Sequence, residues 1–201
     1  MKAGLLHRRE VVKTLLSNRK NLLVVAGLGS TSWDITAAGD SSLSFPTWGA
    51  MGQAAMIGLG LAVAQPTRRV LVITGDGEML MGMGSLATIG VQQPPNLALV
   101  VIDNERYGET GGQPTHTAHG VDLAAVAKAC GFKESRFIRK ESEVETLRDM
   151  IHAANGPLFA DIKVLDEKLP LVLPPNDGVV LKERFRRALL GPSADVLAEE
   201  R

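Results

Sequence analysis

Short apolar runs alternate along this chain with longer segments in which apolar and charged positions recur at helical spacing. The runs are rich in Val, Ile and Leu, which is typical of strands buried on both faces. In the longer segments apolar residues return every three or four positions, which is typical of helices. We therefore predict strands at 21–26, 43–45, 70–74, 97–102 and 157–164, and helices at 8–18, 53–64, 79–89, 122–129, 141–154 and 180–190.

The order of these elements predicts an α/β fold. Strands that alternate with helices favour a mostly parallel sheet with helices on both faces, a three-layer arrangement. The 201 residues suit one domain with a large core, and no internal repeat is visible. We expect residues 1–168 to form this domain and residues 169–201 to be a tail with a short helix and a polar end.

Charge and cysteine content exclude several classes of protein. The 22 basic and 22 acidic residues give a net charge of zero, so neither nucleic acid nor a membrane surface is expected as a partner. No run approaches the roughly 18 apolar residues of a membrane span, and the start is too charged for a signal peptide. We expect a cytoplasmic protein. The single cysteine, Cys130, rules out an internal disulfide and lies in an apolar context typical of packing.

Three glycine-containing or polar turns each follow a predicted strand, at 27–32, 75–78 and 103–108. Because the carboxyl ends of parallel strands meet at one edge of a sheet, we expect these turns to lie together there. Asp76, flanked by glycines, and Asn104 would then offer hard oxygen ligands to Mg²⁺, and the glycines would let a phosphate approach the backbone. Each motif alone also fits an ordinary turn. The spacing of 26 residues (78–103) between Gly77 and Asn104 favours the metal site.

This spacing and the residues around it resemble the sequence of a known family. A GDG motif followed after twenty-odd residues by Asn is similar to the thiamin diphosphate (ThDP) signature. The stretches GDGEMLMGMGSLATIG, DNERYGETGGQPT and VDLAAVAKACGF resemble the C-terminal, diphosphate-binding (PP) domain of ThDP-dependent 2-oxoacid decarboxylases. Within that family the sequence of these stretches is most similar to sulfopyruvate decarboxylase beta subunits and to phosphonopyruvate decarboxylases. The resemblance covers roughly residues 22–164 and implies that residues 1–168 are a PP domain.

The resemblance implies a role for each matching position. It assigns Asp76, the side-chain oxygen of Asn104 and the backbone carbonyl of Arg106 to Mg²⁺. It places the following residues around the diphosphate: Gly29, Ser30, Thr31, Gly75, Gly77, Glu78, Tyr107 and Gly108. Read without the resemblance, the turn at 29–31 is better interpreted as a helix cap at Ser30, Thr31 or Ser32.

The stretch Gly49-Ala50-Met51-Gly52 has two interpretations. By itself it predicts the start of the helix at 53–64, with a buried methionine. The resemblance instead implies that Met51 is the bulky residue wedged under ThDP to hold it bent, and that the carbonyl of Gly49 accepts a hydrogen bond from its 4'-amino group. A bent cofactor has its own base next to its reactive carbon, which favours the reaction by proximity.

The loop after Asn104 carries candidate residues for substrate and proton handling. His116 and His119 lie in a Gly/Thr-rich stretch, where a histidine can steer a charged substrate or donate a proton. A solvated loop histidine is the alternative for each. The resembling family has Ser-Thr-Gly where this chain has Glu109-Thr110-Gly111, which places an acidic side chain near the expected substrate.

The resemblance also implies a partner. Full-length ThDP enzymes carry a pyrimidine-binding (Pyr) domain whose glutamate activates the cofactor, and no segment here resembles one. We therefore expect a separate alpha subunit with that domain and glutamate. The predicted function is the beta subunit of a ThDP- and Mg²⁺-dependent decarboxylase of a short 2-oxoacid, similar to sulfopyruvate or phosphonopyruvate. The alternatives are the beta subunit of a ThDP-dependent oxidoreductase or carboligase, and a ThDP-binding module without turnover.

Overall fold

A computed structural model of the protein describes residues 6–153 and 155–194. Six strands form one parallel sheet in the order β2-β1-β3-β4-β8-β7, which confirms the predicted fold class. The six strands are β1 Leu23–Ala26, β2 Ser44–Pro46, β3 Val70–Gly75, β4 Leu97–Asp103, β7 Glu134–Ile138 and β8 Leu158–Lys163. A separate antiparallel hairpin consists of β5 Arg106–Tyr107 and β6 Gln113–Pro114.

Helices cover both faces of the sheet. They are α1 Arg8–Leu16, α2 Ser30–Ala37, α3 Ala54–Ala64, α4 Asp76–Met81, α5 Gly84–Gln92, α6 Leu123–Ala129, α7 Glu141–Ala153 and α8 Gly178–Leu190. Alternate residues of the central strands face two apolar layers, one with α1, α2 and α7 and the other with α3 to α6. Leu15 and Leu147 are fully buried in the first layer and Leu86 in the second. Each such side chain contributes about 1.5–3 kcal/mol of transfer free energy.

Three local predictions need correction. The helix predicted at 79–89 is two helices, α4 and α5, which are separated at Gly82 and Met83. Gly82 packs on the backbone of Gly52, where a Cβ would collide with the carbonyl oxygen. The stretch 49–52 is a turn before α3, with Gly52 at φ 94°. Helix α2 has no side-chain cap, since the hydroxyls of Thr31 and Ser32 donate to the Gly27 carbonyl instead. Helix α6 does have a side-chain cap, since the Asp122 side chain accepts a hydrogen bond from the Ala125 N–H.

The chain beyond β8 returns along the carboxyl edge of the sheet. Arg9 donates to the carbonyl of Pro170 and Trp48 to that of Pro175, so the segment 165–177 is fastened at two points. Helix α8 then packs against β2 through Phe185. The predicted polar end at 195–201 lies outside the described residues, as does residue 154 at the predicted end of the α7 helix. In the described part of the chain, no helix has the length and apolarity to cross a membrane.

Candidate functional site

A cavity of about 580 Å³ lies at the carboxyl edge of the sheet. The turns after β1, β3 and β4 all contribute to its wall, which confirms that the three predicted turns lie together. The start of α1 and the segment 166–171 complete the wall. Eleven of the predicted site residues line it: Gly29, Ser30, Met51, Gly75, Asp76, Gly77, Glu78, Asn104, Arg106, Tyr107 and Gly108.

Three predicted site residues are not part of this wall. Gly49 lies in the turn before α3, and Thr31 is buried in α2 with its hydroxyl bonded to the Gly27 carbonyl at 2.8 Å. His116 starts a short 3-10 helix that ends at His119, and its Nδ1 atom lies 3.5 Å from the hydroxyl oxygen of Tyr107. His116 is therefore one side chain removed from the cavity.

Asp76 is a buried carboxylate in the wall of the cavity. The register of β3 and β4 pairs Gly75 with Ile102, so Asp76 and Asp103 follow at the same level of the sheet. The hydroxyl of Thr115 donates to Asp76 Oδ2 at 2.6 Å. The pKa of Asp76 is raised to about 7, first by burial and second by the charge of Asp103, while the Thr115 hydrogen bond lowers it. A bound cation would favour the charged form of this carboxyl group.

Asn104 and Arg106 form a tight turn beside Asp76. The Oδ1 atom of Asn104 accepts a hydrogen bond from the Arg106 N–H at 3.0 Å, which orients both the amide and the following backbone. No group of three or more His, Cys, Asp or Glu side chains within the described ranges is arranged to hold a metal ion. A cation here would therefore take one carboxylate, one amide oxygen and a backbone carbonyl, with further oxygens from a ligand. That donor set suits Mg²⁺.

Glycine is favoured in two of the turns for different reasons. A Cβ on Gly77 would lie 2.6 Å from the ring of Tyr107, which covers this residue. Gly29 has a φ of 71°, a conformation that residues with a Cβ rarely adopt. The N–H groups that follow Gly29 begin helix α2, where a helix N-terminus attracts anions. These turns fit a diphosphate group.

Met51 lines the cavity from the turn before α3. Its Cε atom lies 3.6 Å from the position that a Cβ on Gly77 would take. The turn is held in a non-helical conformation by Ala50 at φ 60° and Gly52 at φ 94°. The half-buried Met51 is therefore fixed on the wall next to the glycine motif that follows β3.

The side chain of Glu78 holds the turn at 49–52 near the carboxyl ends of the strands. This role was not predicted from the sequence. Glu78 Oε1 accepts from the Ala54 N–H at 3.4 Å, and the pKa of the carboxyl is raised mainly by burial. The nearby Thr74 hydroxyl lowers that pKa and so opposes the effect of burial. Gly27 must be a glycine because a Cβ would collide with this carboxyl group.

Four buried polar residues next to Asp76 were also missed by the sequence analysis: Asp103, Thr115, Thr117 and Lys163. Lys163 Nζ donates to Asp103 Oδ2 at 2.6 Å, across 60 positions of sequence. Alternating threonines in a loop and a lysine at the end of a strand are common on protein surfaces. Nothing in the local sequence pattern separates them from solvated residues.

Comparison with known proteins agrees with this geometry. The family model for the thiamine pyrophosphate enzyme C-terminal TPP binding domain matches residues 29–162, and thiamine pyrophosphate is thiamin diphosphate. The chain belongs to this family. The family resemblance inferred from the sequence is thereby confirmed. The matched range of this TPP-binding chain begins at the turn after β1 and ends in β8.

Relatives of this TPP-binding chain include both whole subunits and longer proteins. The chain is 36% identical over 191 residues to the sulfopyruvate decarboxylase subunit beta of Methanothermobacter thermautotrophicus, covering 95% of this chain and 100% of the relative. It is 36% identical over 179 residues to the phosphonopyruvate decarboxylase of Streptomyces viridochromogenes, covering 87% of this chain but only 44% of that protein.

A solved structure shows the same fold. The benzoylformate decarboxylase of Polynucleobacter necessarius matches with a TM-score of 0.68 and 22% sequence identity. The match covers 83% of this chain and 34% of that protein. The chain therefore spans about a third of the solved protein, and the likeness supports the fold alone.

Proposed function

We propose that this chain is the beta subunit of a ThDP- and Mg²⁺-dependent decarboxylase of a short 2-oxoacid, similar to sulfopyruvate or phosphonopyruvate. The observation that carries the proposal is the convergence of Asp76, Asn104 and the glycine turns in one cavity. The relative matched along its whole length is named as a sulfopyruvate decarboxylase beta subunit, which supports the substrate class. The sequence and structure both fit a cofactor with a diphosphate end.

The residues present fit this cofactor and its metal. In the proposal Asp76, Asn104 Oδ1 and the Arg106 carbonyl hold Mg²⁺. The diphosphate lies against the wall formed by Gly29, Ser30, Gly75, Gly77, Glu78, Tyr107 and Gly108. Thr31, also predicted to contact it, instead holds the turn behind this wall through its bond to the Gly27 carbonyl. When bound, ThDP supplies the electron sink that takes up the electron pair left when a 2-oxoacid loses CO₂.

The chain's own residues orient the cofactor and control access to it. Met51 stands on the cavity wall where it would support the bend of ThDP, and the Gly49 carbonyl would accept from the 4'-amino group. The Tyr107 ring covers Gly77 and shields the diphosphate side from water. His116 does not line the cavity, so in this proposal it supplies a proton to the product through the Tyr107 hydroxyl, whose oxygen lies 3.5 Å from its Nδ1 atom.

The proposal includes a separate alpha subunit that carries the Pyr domain and its activating glutamate. In this view residues 1–168 are the PP domain and residues 169–201 are a tail whose first residues close one side of the cavity. Leu169 and Leu171 of the returning segment line the wall, which supports a role for this segment in the site. The proposed location is the cytoplasm, which suits a chain whose single cysteine is free.

Reconstitution with the partner tests the activity. The chain would be co-expressed with the alpha subunit and supplied with ThDP, Mg²⁺ and sulfopyruvate, phosphonopyruvate or pyruvate. We expect CO₂ and a free aldehyde in equal amounts without an added electron acceptor. CO₂ release only with an acceptor, or a joined two-substrate product, would support an oxidoreductase or a carboligase. No CO₂ from any 2-oxoacid would refute the decarboxylase proposal.

Binding of the cofactor can be tested separately from turnover. ThDP with Mg²⁺ at about 100 times its Kd should stabilise the assembled complex by about 2.7 kcal/mol, seen as a rise in Tm. Asp76→Ala should abolish this rise, because it removes the only carboxylate in the proposed metal shell. Asp149→Ala, an exposed carboxylate on α7, is the control and should keep it. An unchanged rise in Asp76→Ala would refute the metal assignment.

A further inference from the structure

A connected group of buried polar side chains lies against Asp76 without lining the cavity. Thr115 donates to Asp76 Oδ2 at 2.6 Å, and Thr117 donates to Asp103 Oδ1 at 2.8 Å. The two hydroxyl oxygens lie 2.9 Å apart. Lys163 then pairs with Asp103 at 2.6 Å. The group joins the loop after the hairpin to the ends of β4 and β8, with Asp76 at its cavity end.

This group is costly for the fold. Asp103 and Thr115 are 0% exposed and Lys163 is 6% exposed. Elsewhere the same strands bury apolar side chains such as Leu99 and Phe159. Burying an ion pair costs several kcal/mol per ion in desolvation, and a well-packed apolar pair is often as stable or more so. The stability of the fold therefore does not explain why these charged residues are buried here. Their position next to Asp76 suits a role in the function of the site.

We propose that Thr115 and Thr117 are positioning residues that hold the Asp76 carboxylate in place for the divalent cation, braced by the Asp103–Lys163 ion pair. This inference rests on the proposed function, since the cation is the Mg²⁺ of that site. The Thr115 hydrogen bond fixes Oδ2, so the orientation of the whole carboxyl group is set before a cation arrives. Partners of this kind orient metal ligands in many proteins.

The loop that carries these threonines is itself anchored. The Thr115 N–H donates to the Glu105 carbonyl at 3.1 Å, in the turn next to Asn104. Thr117 contacts both acids, at 2.8 Å from Asp103 and 3.4 Å from Asp76. His116 lies between the two threonines, so the group that holds Asp76 also fixes the backbone of the proposed proton donor.

The test is a Mg²⁺ titration of the assembled complex at fixed ThDP, read as the rise in Tm. For Thr115→Val, which keeps the shape and removes the hydroxyl, we expect the half-maximal Mg²⁺ concentration to rise about 10- to 100-fold. Thr117→Val should show a smaller rise, because its contact with Asp76 is longer. Thr115→Ser should restore the wild-type value. Thr36→Val, which removes a hydroxyl bonded to the Ser32 carbonyl in α2, is the matched control and should not change it.

The outcomes separate the inference from the proposed function. A purely structural role would lower the Tm of Thr115→Val without ligands and leave its Mg²⁺ midpoint unchanged, which would overturn the inference alone. Failure of Thr115→Ser to recover the wild-type midpoint would also overturn it. If Thr115→Val does not fold, an unchanged midpoint in Thr117→Val overturns it in the same way. A wild-type complex without Mg²⁺-dependent ThDP binding would overturn both the inference and the proposed function.

Discussion

Replacing Asp161 with Asn should stabilise the protein by an amount that grows with pH. Asp161 lies in β8, is 0% exposed, and neither carboxyl oxygen has a hydrogen-bond partner in the part of the chain that the structure describes. Burial raises its pKa from 3.8 to about 8, with a second contribution from the charge of Asp103. Lys163 opposes this shift but is already paired with Asp103.

The sign and size of the effect follow from proton linkage. Below about pH 4 both the folded and the unfolded states hold the proton, so the carboxyl group has no pH-dependent cost. Between about pH 4 and about pH 8 the unfolded chain releases the proton while the folded protein keeps it, so folding loses stability as pH rises. Each pH unit in this window corresponds to about 1.4 kcal/mol. From about pH 5 to about pH 8 the ceiling is about 4 kcal/mol, and relaxation around a buried group reduces it to about 1–3 kcal/mol.

Urea unfolding at about pH 5 and about pH 8 measures this difference. The amide introduced by Asp161→Asn cannot ionise, so its gain in the free energy of unfolding should be about 1–3 kcal/mol larger at the higher pH. Asp149→Asn, on the exposed side of α7, should stay within about 0.5 kcal/mol of wild type at both. A gain for Asp161→Asn that does not change with pH, or a loss at about pH 8, would refute the reasoning.

Three further predictions concern packing and substrate choice. Gly58→Ala should lower the free energy of unfolding in urea by about 1–3 kcal/mol, because the new Cβ would lie 2.1 Å from the Val72 side chain. Gly60→Ala in the same helix is the control: its Cβ would contact nothing, and it should raise the free energy of unfolding by about 0.5–1 kcal/mol. Glu109→Ser should lower the KM for a sulfonated 2-oxoacid about tenfold in steady-state assays, because it removes a like charge from the wall. Phe185→Ala should speed proteolysis of the tail, because the ring of Phe185 packs 5.5 Å from one in β2; equal cleavage rates would contradict this.

The central sheet could be predicted from sequence because its strands are buried on both faces. The runs that became β1, β3, β4 and β8 are nearly continuous in apolar residues, and every residue of β4 is buried. Strand β7 has no such run, since only Ile138 among its five residues is buried. An edge strand of this kind shows neither an apolar run nor clean alternation. The hairpin β5–β6 is shorter still, with two residues in each strand.

The residues of the cavity that could be predicted from sequence are those recognisable by their type and by their position directly after a strand. Asp76 and Asn104 follow consecutive predicted strands, so parallel topology alone brings them to one edge. The support around them depends on contacts between distant residues. Lys163 reaches Asp103 across 60 positions, and Thr115 reaches Asp76 across 39. Such pairs leave no periodic signal, so the residues that hold the acid could be found only from the folded chain.

Asp161 is a case of poor polar pairing inside the sheet. Both of its carboxyl oxygens are buried without hydrogen-bond partners among the described residues. An apolar layer continued to the strand ends would be more stable, since each unpaired buried polar group costs about 1–3 kcal/mol. Proteins retain such costs mainly where function needs them. If Asp161→Asn stabilises the protein without ligands and leaves the Mg²⁺ midpoint unchanged, Asp161 is not needed for cation binding. Binding would then depend on Asp76 and the two threonines that contact it, and not on every buried acid nearby.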